Sequence, residues 1–254
     1  MDKLFSLEGR IALITGGSRG IGRMIAAGFL AQGAKVYISS RKAQVCDQAA
    51  RDLAALGHCV SLPADVSTVA GAQALATAFA AHEQQLDILV NNAGAAWGAP
   101  FDDFPESGWD KVVDLNLKAP FFLTQALAAH LRLAGKQRVA KVINIASIDG
   151  VSVNPLETYS YAASKAGLVH LTRRMALRLI QDNIAVTAIA PGAFASEMNR
   201  EARDRSAEVA AQIPAGRIGV DQDMAGAAIY LASRAGDYVV GETLVVDGGV
   251  TLKR

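Results

Sequence analysis

Seven short apolar runs alternate with longer Ala-rich segments along the 254 residues of the chain, and this alternation restricts the fold more than any other feature. The runs cover residues 10–15, 35–40, 59–65, 88–91, 142–146, 185–190 and 243–246, and polar residues hardly interrupt them. Strands of that kind are buried on both faces of a parallel sheet. Helical periodicity occupies 21–32, 43–56, 69–83, 108–133, 159–181 and 222–233, which predicts the covering helices. The expectation is a single-domain α/β fold, a Rossmann-type doubly wound parallel sheet of about seven strands with helices on both faces. Ligands of such sheets bind beyond the carboxyl ends of the strands. No linker, repeat or low-complexity tract divides 1–254, so one domain is expected. The polar segment 194–214 precedes the last strand and predicts a short helical insertion serving as a lid.

Charge narrows the function classes. Lys and Arg total 25 against 24 Asp and Glu, a net charge of +1, which offers no field for gathering nucleic acid or an anionic membrane. The apolar runs are too short to span a bilayer. The N-terminus, Met1-Asp2-Lys3-Leu4-Phe5, lacks the regions of a signal peptide, so a cytoplasmic protein is expected. Cys46 and Cys59 have no CxxC or His spacing beside them and read as reduced thiols. His58, His82, His130 and His170 are scattered, and no metal is expected.

The first strand runs into Thr15-Gly16-Gly17-Ser18-Arg19-Gly20-Ile21-Gly22 and then a helical pattern. Glycines there permit a sharp turn and a close approach of backbone N–H groups to a phosphate at the helix N-terminus, although a plain β–α turn has the same look. An acidic residue ending the second strand would serve the ribose of NAD, whereas Arg suits a 2′-phosphate. This chain has Ser39-Ser40-Arg41-Lys42, with no carboxylate before Asp47, and Arg19 supplies a second cation. Solvated surface arginines are the other reading; NADP(H) is the favoured cofactor.

Tyr161 and Lys165 stand four apart in a helical segment, hence on one face. A nearby ammonium favours the phenolate, which suits a general acid for carbonyl reduction. Tyr159 has Ala163 in the corresponding place and reads as a packing or substrate-side residue. Ser147 ends the fifth strand, where a hydroxyl can hold a carbonyl oxygen beside Tyr161 or simply terminate the strand.

Together these residues resemble the short-chain dehydrogenase/reductase family. The matches are Thr15 to Gly22, Asp65-Val66, Asn91-Asn92-Ala93-Gly94, Asn116, Ser147, Tyr161 with Lys165, Pro191-Gly192 and Asp247-Gly248-Gly249, in family order across the chain. Within the family the chain is similar to bacterial NADPH-dependent 3-oxoacyl reductases, especially the rhamnolipid-pathway type. The resemblance implies strand order 3-2-1-4-5-6-7 and catalysis by Asn116, Ser147, Tyr161 and Lys165, with Lys165 on the nicotinamide ribose and Asn116 holding a water in a proton relay. It implies cofactor contacts from Gly16, Ser18, Arg19, Gly20, Ile21, Gly22, Arg41, Asp65, Val66, Asn92, Ala93, Gly94, Tyr161, Lys165, Pro191, Gly192, Phe194 and Ser196. Asp65 would meet the adenine amino group; capping the next helix is its other reading. Asp247-Gly248-Gly249 reads as structural and subunit-facing.

Three places depart from the family. Ser196 stands where Thr is common. Ser147 and Tyr161 are 14 apart, one more than in many relatives, so the loop between them bulges on the substrate side. Asp182 falls where relatives carry a basic residue for acyl carrier protein, although Arg173, Arg174 and Arg178 lie on the same helix. The apolar residues Ala95, Ala96, Trp97, Val151, Val153, Leu156, Phe194 and Met198 suggest an acyl channel. The expected reaction is NADPH-dependent reduction of a 3-oxoacyl thioester, on acyl carrier protein or coenzyme A, by a homotetramer. A reductase of sugars, steroids or other small alcohols is the alternative.

Overall fold

The computed structural model describes residues 3–197 and 199–253. Seven strands form one parallel sheet: β1 (Ile11–Thr15), β2 (Lys35–Ser39), β3 (Cys59–Ser61), β4 (Ile88–Asn91), β5 (Ala140–Ile145), β6 (Ile184–Pro191) and β7 (Thr243–Val246). Their order is β3-β2-β1-β4-β5-β6-β7, as expected. The helices are α1 (Gly20–Ala31), α2 (Ala43–Leu53), α3 (Val69–Ala80), α4 (Glu106–Val113), α5 (Ala119–Ala126), α6 (Ala128–Gly135), α7 (Tyr159–Leu179), α8 (Arg200–Asp204), α9 (Ser206–Gln212) and α10 (Asp221–Ala232).

Alternate residues of each strand serve opposite faces of the sheet. Ile14, Val90, Ile143 and Ile189 pack with Ile25 and Phe29 of α1, Leu53 of α2 and Leu231 of α10. Leu13, Leu89, Val142 and Val186 pack with Phe79 of α3, Leu123 of α5, Leu131 of α6 and Met175 of α7. The order reverses between β1, which pairs with β2, and β4, so a crevice opens at their carboxyl ends.

Two expectations need correction. The expected helix 108–133 is instead α4, a π-helical turn over Asp114–Lys118, α5 and, past Leu127, α6. Pro120 has no N–H to give the Asn116 carbonyl four residues back, so the α ladder cannot run through this point. The third strand ends at Ser61 rather than at 65, although the Leu62 and Ala64 N–H groups still donate to the Ile38 and Ser40 carbonyls of the β2 segment. The insertion 194–214 carries two short helices, α8 and α9.

A polar chain crosses the second core. Asn91 and Asn144 are register partners on β4 and β5, and the Asn91 amide donates to Asn144 Oδ1 (2.9 Å) and Thr124 Oγ1 (3.2 Å). Asn144 donates to Thr172 Oγ1 (2.9 Å), so α5 and α7 are tied to the sheet directly beneath the site. All four side chains are buried, where an unmet donor costs about 1–3 kcal/mol. Asn144→Ala removes one hydrogen bond from each of Asn91 and Thr172, which keep Thr124 and the Leu168 carbonyl as partners, and should lower unfolding free energy by about 1–3 kcal/mol in urea titrations; a loss below about 0.5 kcal/mol would contradict this account.

Candidate active site

Two loops meet where the sheet order reverses. Gly16 has φ +66°, and a Cβ there would stand 2.6 Å from Asn92 Nδ2; one on Gly22 would stand 2.4 Å from the Gly16 carbonyl oxygen. Neither position admits a side chain. Thr15 Oγ1 accepts the N–H groups of Asn92 and Ala93, both at 3.0 Å, and donates to the Val90 carbonyl at 3.3 Å. Asn92 Nδ2 returns hydrogen bonds to the carbonyls of Thr15 (2.8 Å) and Gly16 (3.2 Å). The glycine loop is thereby locked to residues 92–94. No side chain caps the N-terminus of α1 at Arg19, which leaves its first N–H groups, behind Ser18, Gly20 and Ile21, directed out of the helix. That is the geometry that receives a phosphate.

The end of β2 fits the other end of a phosphorylated dinucleotide. The Ser39 and Ser40 hydroxyls are buried with no hydrogen-bond partner. Arg19 and Arg41 are exposed, and neither forms an ion pair among the described residues. Two orphaned hydroxyls and two such cations suit a 2′-phosphate. At the end of β3, Asp65 Oδ1 accepts the Ser67 N–H (3.0 Å), while Thr68 caps α3 by accepting the Gly71 N–H (3.0 Å). Capping of α3 is therefore the work of Thr68, which leaves Asp65 at the crevice rim above the buried Val66.

On the far side of the crevice, Ser147 follows β5 and α7 presents Tyr161, Ser164 and Lys165. Lys165 is 4% exposed; its Nζ donates to the Ile145 carbonyl at 2.6 Å and lies 5.7 Å from the Tyr161 ring centroid. Burial pushes the lysine down to about 8. Burial also raises the Tyr161 phenol above its ordinary value; the facing Ser147 hydroxyl works against this and the Asp149 carboxylate adds to it. The expected lowering of the tyrosine by Lys165 is not what this arrangement produces: the ammonium is directed at Ile145 instead. Asn116 is buried in the π turn, where its Oδ1 accepts the Ala95 N–H (2.8 Å) and its Nδ2 donates to the Ala95 carbonyl (2.9 Å) and Ser164 Oγ (3.1 Å). These bonds hold the loop after Gly94 and use both amide hydrogens, while the second lone pair of Oδ1 stays open to a donor such as water.

Pro191 ends β6 and Gly192 follows it, against the Asp247 backbone. The Phe194 ring is in the core and rests on Gly219, so it does not line an acyl channel as expected. Ser196 approaches Gly20 closely and accepts the Asn199 N–H (3.0 Å), which brings the insertion onto the glycine loop. Met198 lies outside the described residues. Asp247 accepts the N–H groups of Gly249 (2.8 Å) and Thr251 (2.7 Å), a structural turn. Thr15, Ser164 and the Asn91–Asn144 pair join the site only through the fold, by the hydrogen bonds above. Ser164, directly before Lys165 in the Tyr161 motif, was the one with a usable signal.

A family model described as enoyl-(acyl carrier protein) reductase matches residues 16–251. The chain is 48% identical over 256 residues to the rhamnolipids biosynthesis 3-oxoacyl-(acyl-carrier-protein) reductase of Pseudomonas aeruginosa, covering 99% of this chain and 100% of that protein. The chain belongs to the short-chain dehydrogenase/reductase family. A solved member, the Pseudomonas aeruginosa RhlG/NADP active-site complex, superposes with a TM-score of 0.95 at 45% identity, over 99% of this chain and 100% of the other. Another relative, the 2-dehydro-3-deoxy-D-gluconate 5-dehydrogenase of Escherichia coli, is 40% identical over 248 residues, 96% of each chain. Among the described residues of this short-chain dehydrogenase/reductase, no group of three His, Cys, Asp or Glu is placed to hold a metal ion, and no helix is long and apolar enough to cross a membrane.

Lys165 makes the site costly. With its folded-state value at about 8 and an unfolded value near 10.5, the unfolded chain binds more protons between those limits. The penalty is complete below pH 8 and fades as pH rises to 10.5. Lys165→Met should therefore stabilise the folded protein by about 1–3 kcal/mol at pH 7, with the gain shrinking by pH 10. Urea unfolding at both pH values checks this, and a variant less stable than wild type at pH 7 would contradict it.

Proposed function

We propose that this protein reduces a 3-oxoacyl thioester to its 3-hydroxyacyl form with NADPH. The observation that carries the reading is the convergence of Ser147, Tyr161 and Lys165 across the crevice from the glycine loop with Arg19 and the end of β2 with Arg41, two cations without an ion pair among the described residues. When bound, the nicotinamide supplies a hydride to the carbonyl carbon. Ser147 holds the carbonyl oxygen, and Tyr161, kept protonated by burial, gives it a proton. Lys165 binds the nicotinamide ribose and passes protons to Tyr161, a role its value near 8 suits. Asn116 positions the 95 backbone and the π turn around that relay. The glycine loop with Ser18, Gly20, Ile21 and Gly22 takes the pyrophosphate, Asp65 and Val66 the adenine, and Asn92, Ala93, Gly94, Pro191, Gly192, Phe194 and Ser196 border the remainder. Residues 194–214 act as the lid.

An acidic carrier protein is supported by a feature the sequence concealed. Asp182 is held by Arg132 Nε (2.9 Å) and Arg178 (3.2 Å), and Arg174 stands one helical turn before Arg178. The carboxylate is thus neutralised and this face is cationic. Leu123, Leu127, Leu168 and Met175 are buried in the protomer, whereas Trp109, Phe121 and Leu177 are exposed on α4, α5 and α7. Those three support helix pairing in a tetramer. The location proposed is the cytoplasm.

Kinetics with NADPH test the reading. The kcat/KM for 3-oxoacyl thioesters should climb with chain length, each buried methylene contributing about 0.8 kcal/mol, and should exceed that for keto-gluconates. The 40% identity to a gluconate dehydrogenase makes the reverse order the second reading. Tyr161→Phe removes the acid alone and should lower kcat about 100-fold or more while NADPH affinity holds. Arg41→Asp replaces a phosphate partner with a repelling charge and should cut the NADPH-over-NADH preference by at least about tenfold. An unchanged ratio would remove Arg41 from the cofactor site.

A further inference from the structure

The catalytic helix α7 starts without a local cap. Thr158 precedes it with no side-chain hydrogen bond to the helix, and its first turn contains no acidic residue. Something else must hold that turn, because Tyr161 belongs to it. The segment after β4 supplies the hold. Glu157 Oε1 accepts both the Phe101 N–H and the Tyr159 hydroxyl at 3.2 Å, and the Glu157 carbonyl accepts the Ala99 N–H at 3.2 Å. The Tyr159 ring stands edge-on to Phe101 (5.6 Å, 77°) and Phe104 (5.7 Å, 78°). Residues 99–104 are thereby zipped onto 157–159. The same strip is open to solvent: Phe101 is 74% exposed, and Val153 (88%) and Leu156 (64%) stand in the loop leading into it.

We propose that Glu157 and Tyr159 are positioning residues, whose clasp on the 99–101 backbone fixes the first turn of α7 and so aims the Tyr161 hydroxyl at Ser147. The proposal rests on the reduction chemistry given above. The physical reason is that an uncapped helix end frays, and a displacement of an ångström at a proton donor costs far more rate than stability. Two donors converging on one carboxylate oxygen define the position of the turn in a way that the aromatic contacts alone do not.

Two measurements on the NADPH-loaded enzyme test this, with Glu157→Ala, Glu157→Gln and Tyr159→Phe beside wild type. The first is steady-state reduction of whichever ketone the wild type turns over fastest. Glu157→Ala should lower kcat roughly tenfold with the KM for NADPH within about twofold. Glu157→Gln keeps an acceptor oxygen and should recover most of the loss, and Tyr159→Phe should fall between. The second is hydrogen exchange at amides 162–165, which needs no turnover. Exchange there should be roughly tenfold faster in Glu157→Ala and near wild type in Glu157→Gln. Unchanged exchange in Glu157→Ala overturns the proposal whether or not the enzyme reduces any ketone, as does equal loss of kcat in the Ala and Gln variants. If Glu157→Ala does not fold, Tyr159→Phe decides, with unchanged exchange at 162–165 again overturning the clasp. A wild type that reduces none of the ketones fails the function while the exchange data still judge the clasp.

Discussion

The hydrogen bonds of Thr15 hold this molecule's working parts together. One hydroxyl accepts two backbone N–H groups from the end of β4 and donates to a third backbone group of the same strand. Because Asn92 reciprocates on the Thr15 and Gly16 carbonyls, the glycine loop cannot move independently of the loop that leads to Ala95. Asn116 then extends the connection from Ala95 to Ser164 on α7. Polar contacts joined by the 93–95 backbone therefore run from the glycine loop to the helix of Tyr161. Breaking a buried member leaves a polar group without water to replace its partner, which is why these few bonds constrain so much.

Against that rigid frame, the groups suited to chemistry are held at a cost. Lys165 is buried with a carbonyl acceptor, and Tyr161 is half-buried beside a carboxylate that opposes its ionisation. Both perturbations have desolvation as their main cause, which places them at a site rather than in a structural ion pair. The π turn shares this character: Pro120 interrupts the helical ladder at the point where Asn116 must face inward. By contrast, Arg132 of α6, Arg178 of α7 and Asp182 just past α7 pair at the surface, well away from the groups of the crevice.

The strands were legible because burial on both faces removes polar residues from them, and the order of motifs was legible because spacing along a chain survives folding. The helix 108–133 was misread because apolar periodicity continues across Pro120, and only the missing N–H shows that the hydrogen bonding cannot continue with it. Phe194 was misread because an aromatic residue in a polar insertion looks like a pocket wall; Gly219 offers its ring a place in the core.

Local order in the chain was thus sufficient for the parallel sheet, the phosphate loop, the preference for Arg41 over a carboxylate, and the pairing of Tyr161 with Lys165. Each depends on neighbours within a few residues or on a repeating burial pattern. Contacts between distant segments decided the rest. Asp182 is a lone negative charge in the sequence and a neutralised one in the fold, since Arg132 reaches it from 50 residues away. Lys165 reads as a neighbour of Tyr161 alone until the fold gives its ammonium the Ile145 carbonyl as an acceptor. Glu157 carries no signal at all until residues 99–104 close upon it. Partnership and desolvation are properties of three-dimensional proximity, and no spacing along the chain encodes them.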